Sequence, residues 1–364
     1  MQIRTITCHD VYNHGASLQA YALQTYLESL GHEVRIIDYK PDYLNNHYKL
    51  WSVSNPVYDK PFVKQAYLLA KLPGRLITLK RKKAFDQFTR QYLKLTERYH
   101  SNEELKQNPP KADVYIAGSD QIWSTTVPTG HDASFYLNFG LPGTRRLSYA
   151  ASFGTKVMSD EVRPFIKGML RNFDAISVRE SCTLPLLSEL GVTNGVSVCD
   201  PVFLLPRISW ESILPVQRFK DKYLLVYDLE GSHSIKELAI KIAKQNNLKI
   251  YNIGFGRLDY TDKDFWASDP IMFLCLIRDA QFVIANSFHA CAFSLIFERN
   301  FVAINRTDDD DDRIGSLLHD LGLERNMISN TSNVPLISTD YKAVNKVKEE
   351  IIQSSKDYLA RRLS

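Results

Sequence analysis

Asn286, Ser287 and His289 stand together where one apolar run, Phe282 to Ala285, gives way to another that continues to Phe297. The order reads as strand, polar turn and buried helix. Asn286 or Ser287 is placed as an N-cap, and neither Gly nor Pro interrupts the turns that follow. His289 then falls in the first helical turn at the carboxyl end of a strand. Open α/β sheets bind ligands at that edge, and the free N–H groups of a helix start attract anions. An imidazole in that place is either a proton donor beside an anion or a hydrogen-bonded core residue. The stretch alone leaves both open.

Polar groups end other apolar runs in the same way. Gly118, Ser119, Asp120 and Gln121 follow Ala112–Ala117, and Ser152 follows Leu147–Ala151. Arg179 and Glu180 follow Ala175–Val178, and Asp200 follows Val196–Cys199. One such ending is weak evidence, but a row of them reads as the ligand edge of a parallel sheet. Nearer the amino terminus, a strand over Ile3–Cys8 leads into a turn and a helix with Asn13, Gly15, Ala16 and Gln19 at its start. These small polar residues let a ligand approach the backbone, although Gly15 reads equally well as a turn former. The turn lacks the GxGxxG spacing of a dinucleotide site.

To position these residues, 364 residues suit two domains, each with its own core. The expected organisation is an α/β domain over 1–205, a loop-like linker over 206–222, a second α/β domain over 223–340, and a charged helix over 341–364 that crosses back to the first. Within the first domain, 62–99 reads as one helix carrying Lys71, Arg75, Lys80, Arg81, Lys82 and Lys83. It is a solvated face or a contact for anionic lipid or a diphosphate. A net charge of +4 gives no bulk signal for nucleic acid. Five scattered cysteines without a CxxC pair suit reduced thiols and no zinc site. The irregular stretch 39–61 reads as a flap or docking loop, and Asp308–Asp312 as a solvated loop rather than a cation site. With no signal-like start and no apolar run long enough to span a bilayer, a cytoplasmic protein is expected, with peripheral contact at the inner face of the membrane as a further option.

Six motifs in this order resemble the polysaccharide pyruvyl transferase family. They are Asn13 to Gln19, Gly118 to Trp123, Ser148 to Gly154, Ser177 to Glu180, Asp200 to Leu205 and Asn286 to Ala290. The resemblance implies two Rossmann-like domains facing a cleft in a GT-B-like arrangement, and transfer of a pyruvyl group from phosphoenolpyruvate to a sugar as a ketal. The partners implied are phosphoenolpyruvate as co-substrate and a lipid-linked or nucleotide-linked sugar in surface polysaccharide assembly, with no further cofactor and no metal. That reaction needs an acid for the donor's methylene carbon, cations or N–H groups for its anionic groups, and a base for the sugar hydroxyl. His289 is expected as the acid, Asp120 as the base and Glu180 as its reserve. Arg179, Asn286, Ser287 and Arg306 are expected on the donor, and Asn13, Gly15, Ala16, Gln19, Gly118, Ser119, Gln121, Ser152 and Asp200 on substrate. Arg179 and Asp120 have structural alternatives, an interdomain salt bridge and a turn former. Many family members carry Arg where this chain has Ser287. Arg306 or the helix start is the expected substitute. A nucleotide-sugar glycosyltransferase and a non-catalytic carbohydrate-binding protein are the other functions compatible with such a fold.

Overall fold

Short runs of β-branched and aromatic residues form two all-parallel sheets, with helices in the connections between strands. The computed structural model describes residues 1–45, 63–254, 256–306, 313–328 and 338–364. The far part of the 39–61 stretch and the Asp308–Asp312 run lie outside the described residues.

The first half begins with β1 (Gln2–Ile6), α1 (His14–Ser29), β2 (Glu33–Tyr39), α2 (Asp42–Asn45), α3 (Val63–Tyr92) and β3 (Leu95–Tyr99). It continues with α4 (Asn102–Gln107), β4 (Val114–Ala117), β5 (Arg145–Ser148), α5 (Arg163–Leu170), β6 (Ser177–Val178), α6 (Leu184–Glu189), β7 (Val196–Ser197) and α7 (Arg207–Ser212). Its sheet has the order β3-β2-β1-β4-β5, all parallel. The β6-β7 pair extends it through bridges from Leu147 to Ala175 and from Ala151 to Val178.

The second half comprises β8 (Tyr223–Tyr227), α8 (His233–Asn246), β9 (Lys249–Asn252), β10 (Lys263–Asp264), α9 (Pro270–Asp279), β11 (Phe282–Ala285), α10 (Phe288–Ile296), β12 (Phe301–Ile304), α11 (Arg313–Asp320), β13 (Met327–Ile328) and α12 (Tyr341–Leu363). Its sheet runs β10-β9-β8-β11-β12-β13, again parallel throughout. In both sheets the strand order reverses beside the first strand, between β1 and β4 and between β8 and β11. Those reversals leave a crevice at the carboxyl edge.

Two expectations need correction. The helix expected over 62–99 ends at Tyr92, and Leu95–Tyr99 is a parallel edge strand on β2. No Gly or Pro marks the break, and the open edge of β2 supplies the hydrogen bonds that a longer helix would have made internally. Of its cations, Lys80 and Lys83 are exposed, whereas Arg81 is buried. The side chains of Lys71 and Arg75 lie outside the description. The loop-like stretch 206–222 contains α7, whose Trp210 is fully buried, donates to Val202 O and packs edge-on against Phe293. Pro206 at its N-cap hid a helix as an apparent loop.

The halves share one apolar core. Leu18 and Ala22 of α1 belong to the same buried cluster as Phe273 of α9 and Phe288 and Phe293 of α10. α12 reaches back to the first sheet, where Tyr358 donates to Ser148 O and the Ser355 hydroxyl accepts from Cys199 N. Contacts of this density hold the two carboxyl edges in a fixed relation.

Candidate active site

Asp200 stands at the centre of the charged residues brought together at the cleft. Burial alone would raise its carboxyl pKa, but His289, Arg179 and the N–H of Val202 outweigh burial and hold it well below the usual carboxylate range. Its Oδ2 lies 2.9 Å from Arg179 Nη1, 3.3 Å from Ser119 Oγ and 3.5 Å from His289 Nε2. Arg179 donates from Nε to Glu180 Oε1 at 2.8 Å, and its Nη1 is 3.5 Å from Asp120 Oδ1. Burial opposes its charge, but the three carboxylates more than compensate and raise its pKa further. Arg179 is 6% exposed, Glu180 2%, Asp200 1% and His289 5%. The charges of Arg179 and Asp200 persist under burial because they are paired.

The strand ends supply this cluster in sequence. Asp120 follows β4 in the left-handed region at φ 73, which Asp tolerates better than most residues. Gly118 takes φ 127, and a Cβ there would lie 2.1 Å from Tyr149 O, so only glycine fits. Ser152 donates to Glu180 Oε1 at 2.9 Å. Gln121 packs its amide against Gly154. Gln19 is buried and braces the turns: its amide nitrogen donates to Thr7 Oγ1 and Ala16 O, and its oxygen accepts from Ser119 N. Asn13 caps α1 by accepting from Ala16 N, and Ala16 is buried beneath it.

His289 reaches this wall from the other half. Its ring lies on Gly15, where a Cβ would be 2.0 Å from Nδ1 and 2.2 Å from Cγ. Phe288, beside it, carries the Arg179 guanidinium over its ring at 4.1 Å. Ser287 is the N-cap of α10 and makes no side-chain capping bond. Asn286 is committed elsewhere, accepting from Leu229 N and donating to Asp228 Oδ1. Arg306 pairs with Glu230 at 2.9 Å. Since β11 lies between β8 and β12, this pair joins the loops on either side of the Ser287 turn.

A cavity of about 310 Å³ adjoins this cluster, lined by Arg179, Glu180 and Asp200, by Phe288, Arg313 and Ser316, and by Lys348 and Ile351 of α12; His289 and Asp120 stand behind its wall rather than in its lining. Its size and mixed lining suit a small ligand. His289, Asp120, Glu180, Arg179, Ser119, Ser152 and Asp200 are thus gathered by the fold, with Gly15 as the seat of the imidazole. Asn286 and Arg306 flank the group with partners of their own.

The sequence pattern of the polysaccharide pyruvyl transferase family matches residues 13–308, an interval that holds every one of these residues. The chain belongs to this family. No curated protein matches this pyruvyl transferase family chain in sequence. Among solved structures, a candidate UDP-N-acetylglucosamine 2-epimerase of Listeria monocytogenes matches over 99% of this chain and 90% of its own at 11% identity, with a TM-score of 0.50. The UDP-GlcNAc 2-epimerase of Methanocaldococcus jannaschii (97% and 93% covered, 12% identity, TM-score 0.43) and an E. coli heptosyltransferase with ADP (96% and 100%, 12%, 0.40) are further matches. At such identities the likeness is one of fold: two parallel α/β sheets facing a cleft, as in GT-B proteins.

His14, between Asn13 and Gly15, is one of the polar residues of the first turn, and sequence alone assigns it no separate role. It is fully buried and bonded to the second half through both ring nitrogens. Its place inside the first turn motif was the available signal. Arg81, expected as one of the cations of a solvated or anion-contacting helix face, is instead buried and donates to Tyr12 O.

Proposed function

We propose that the chain transfers the pyruvyl group of phosphoenolpyruvate to a sugar as a ketal, at the cleft where His289 meets Asp200. The observation that carries this reading is the convergence of an imidazole from one half with Arg179, Glu180, Asp120 and Asp200 from the other. His289 donates a proton to the methylene carbon of the donor, which becomes a methyl group and leaves an oxocarbenium-like centre at the neighbouring carbon. A sugar hydroxyl attacks that centre and gives its proton to Asp120, with Glu180 as the alternative acceptor. Phosphate departs, and a second hydroxyl closes the ketal. Of the two hydroxyl protons lost, one balances the proton now in the methyl group and the other leaves with phosphate. Preorganised donors at the developing charge supply the catalysis.

The donor is strongly anionic, and Arg179 already faces three carboxylates. Its Nη2 makes no hydrogen bond among the described residues. Further positive character at this wall comes from the uncapped start of α10, with the Ser287 hydroxyl beside its N–H groups. These groups take the role that Arg has in many family members. The acceptor is a lipid-linked or nucleotide-linked sugar met in the cytoplasm. Among the described residues no helix is long and apolar enough to cross a membrane.

One observation weighs against a nucleotide-sugar donor. The turn from β8 to α8 offers backbone N–H groups at a strand reversal, where a diphosphate would bind. Here the Asp228 carboxylate fills it, accepting from Glu230 N, Gly231 N and Ser232 N at 2.6 to 3.1 Å. An anion already built into the turn repels another.

The test incubates the protein with phosphoenolpyruvate and glycan precursors from the producing cell. Phosphate release matched by the pyruvyl mass on the acceptor supports the reading. Release of a nucleoside diphosphate instead would point to glycosyl transfer, and no release with any acceptor sinks the proposal.

A further inference from the structure

His14 lies at the amino end of α1 in the first half, yet its hydrogen bonds go to the second. Its Nε2 is 3.1 Å from Ser268 O, and its Nδ1 is 3.2 Å from Tyr227 Oη. A carbonyl can only accept, so Nε2 carries the proton and Nδ1 accepts from the Tyr227 hydroxyl. The ring stacks on Phe273 at 5.0 Å with an interplanar angle of 8°, and Phe85 closes another side at 5.0 Å. Arg81 reinforces the same junction: it donates to Tyr12 O at 3.0 Å and also reaches Trp266 O. The turn over Tyr12–Gly15 is therefore tied to the Trp266–Ser268 segment at two points.

The next residue, Gly15, carries the imidazole of His289. The missing side chain there leaves the space that the ring occupies, so the position of Gly15 sets the position of His289. A two-residue path thus joins a buried tie between the halves to the group proposed as the acid.

We propose that His14 is a positioning residue that fixes Gly15 beneath His289 and so sets the aim of that imidazole into the cleft. This rests on the reading of His289 as the acid, but the contact itself does not depend on turnover. A neutral, doubly bonded ring serves this purpose better than an apolar one. Stacking alone permits the turn to slide along Phe273, whereas the bond to Ser268 O fixes its register.

Two substitutions separate positioning from simple packing. His14→Phe keeps the aromatic contacts and removes both hydrogen bonds. His14→Gln loses the stacking and places an amide N–H close to where Nε2 donates to Ser268 O. If His14 acts only by packing, melting temperature and turnover both favour Phe. Under the proposal the two orders oppose: His14→Phe melts at or above His14→Gln, but its kcat falls about 100-fold with little change in acceptor KM, the scale expected when a reacting group is displaced by about 1 Å. His14→Gln stays within about tenfold of the parent kcat.

The second readout needs no substrate. In protein labelled with 13C-histidine, the His289 resonance, assigned by its loss in His289→Asn, should move in His14→Phe and stay near its parent position in His14→Gln. A His289 signal unchanged in both variants, or turnover that follows melting temperature, overturns the proposal. If the parent protein releases no phosphate from phosphoenolpyruvate, the function proposed above fails while the resonance still decides the role of His14.

Discussion

Two helices start side by side at the second sheet's strand reversal, and their amino ends are treated in opposite ways. α8 follows β8 and is closed twice: the Ser232 side chain accepts from Ile235 N, while Asp228 gathers the N–H groups of the preceding turn and the Asn286 amide. α10 follows the neighbouring β11 and also begins at a serine, but Ser287 makes no capping bond, and Asn286 is turned away toward Asp228 and Leu229. Each helix start leaves up to four N–H groups without intrahelical partners. At α8 the protein satisfies this need itself. At α10 the need is left open beside His289 and the cavity. Under the proposed function, the second half binds its ligand through α10, and α8 is a structural end.

The strongest way to break this comparison is to remove the one titratable side chain at the α10 start. His289→Asn should lower kcat about 10²- to 10⁴-fold, the contribution typical of a positioned general acid. Melting temperature should also fall, because His289 Nε2 lies 3.5 Å from Asp200 Oδ2 and helps to hold that buried carboxylate charged, so kcat is compared well below the melting range of both proteins. Turnover within tenfold of the parent would remove the acid assignment and make α10 as structural as α8.

Asp200 connects α10 to the opposite wall, and its loss should cost mainly stability. Asp200→Asn leaves Arg179 and His289 without their shared carboxylate and should destabilise by about 3 to 5 kcal/mol, the range for breaking a buried ion pair. The sign with pH follows from its depressed pKa. Asp200 contributes its full stability above the ordinary unfolded value of about 3.9, and loses it as pH falls through the lower folded value. His14 acts in a different window. Burial and Arg81 lower its pKa, so its unfolded form takes up a proton near pH 6.5 that the folded form refuses. Stability should therefore decline first below about pH 6.5 and again below about pH 4. Urea midpoints across this range check both steps: Asp200→Asn should shrink the lower one, to which Asp38 also contributes, and His14→Gln the upper.

Gly15 tests whether the first half is fitted to α10. Gly15→Ala places a methyl group 2.0 Å from His289 Nδ1, so the ring or the turn must shift. A loss of about 100-fold in kcat is expected, with destabilisation of about 1 to 3 kcal/mol from overpacking. Parent-like kcat with an unmoved His289 resonance would show that the contact is incidental.

Much of this was readable before the fold was known, because strand ends carry a local signature. Apolar runs ending in Ser119, Asp120, Arg179, Glu180 or Asp200 marked one edge, and His289 after β11 marked its counterpart. What local pattern could not give was partnership across the chain. Arg179 looked like an anion clamp because its three carboxylates lie at Asp120, Glu180 and Asp200, two of them distant in sequence. Arg306 looked available because Glu230 belongs to another loop. The strand at Leu95–Tyr99 was lost inside a helix because the edge that stabilises it, β2, is about sixty residues earlier. Ser287 and Ser232 are both serines before a helix, and only the folded environment says which one is spent on capping.

That last contrast can be sharpened by deleting each hydroxyl. Ser232→Ala removes a working cap and should cost about 1 kcal/mol of stability with kcat/KM unchanged. Ser287→Ala removes a hydroxyl that caps nothing, so its stability should stay within about 0.5 kcal/mol of the parent, as for substitutions that touch no such feature. Its effect should appear instead as a rise of up to about tenfold in KM for phosphoenolpyruvate, since a hydrogen bond to a charged group contributes about 1.5 to 3 kcal/mol and neighbouring N–H groups remain to share the anion. Equilibrium unfolding together with initial rates at varied phosphoenolpyruvate separates the two serines. If both variants lose stability equally and neither changes KM, α10 is capped like α8, and the donor must be held elsewhere in the cleft.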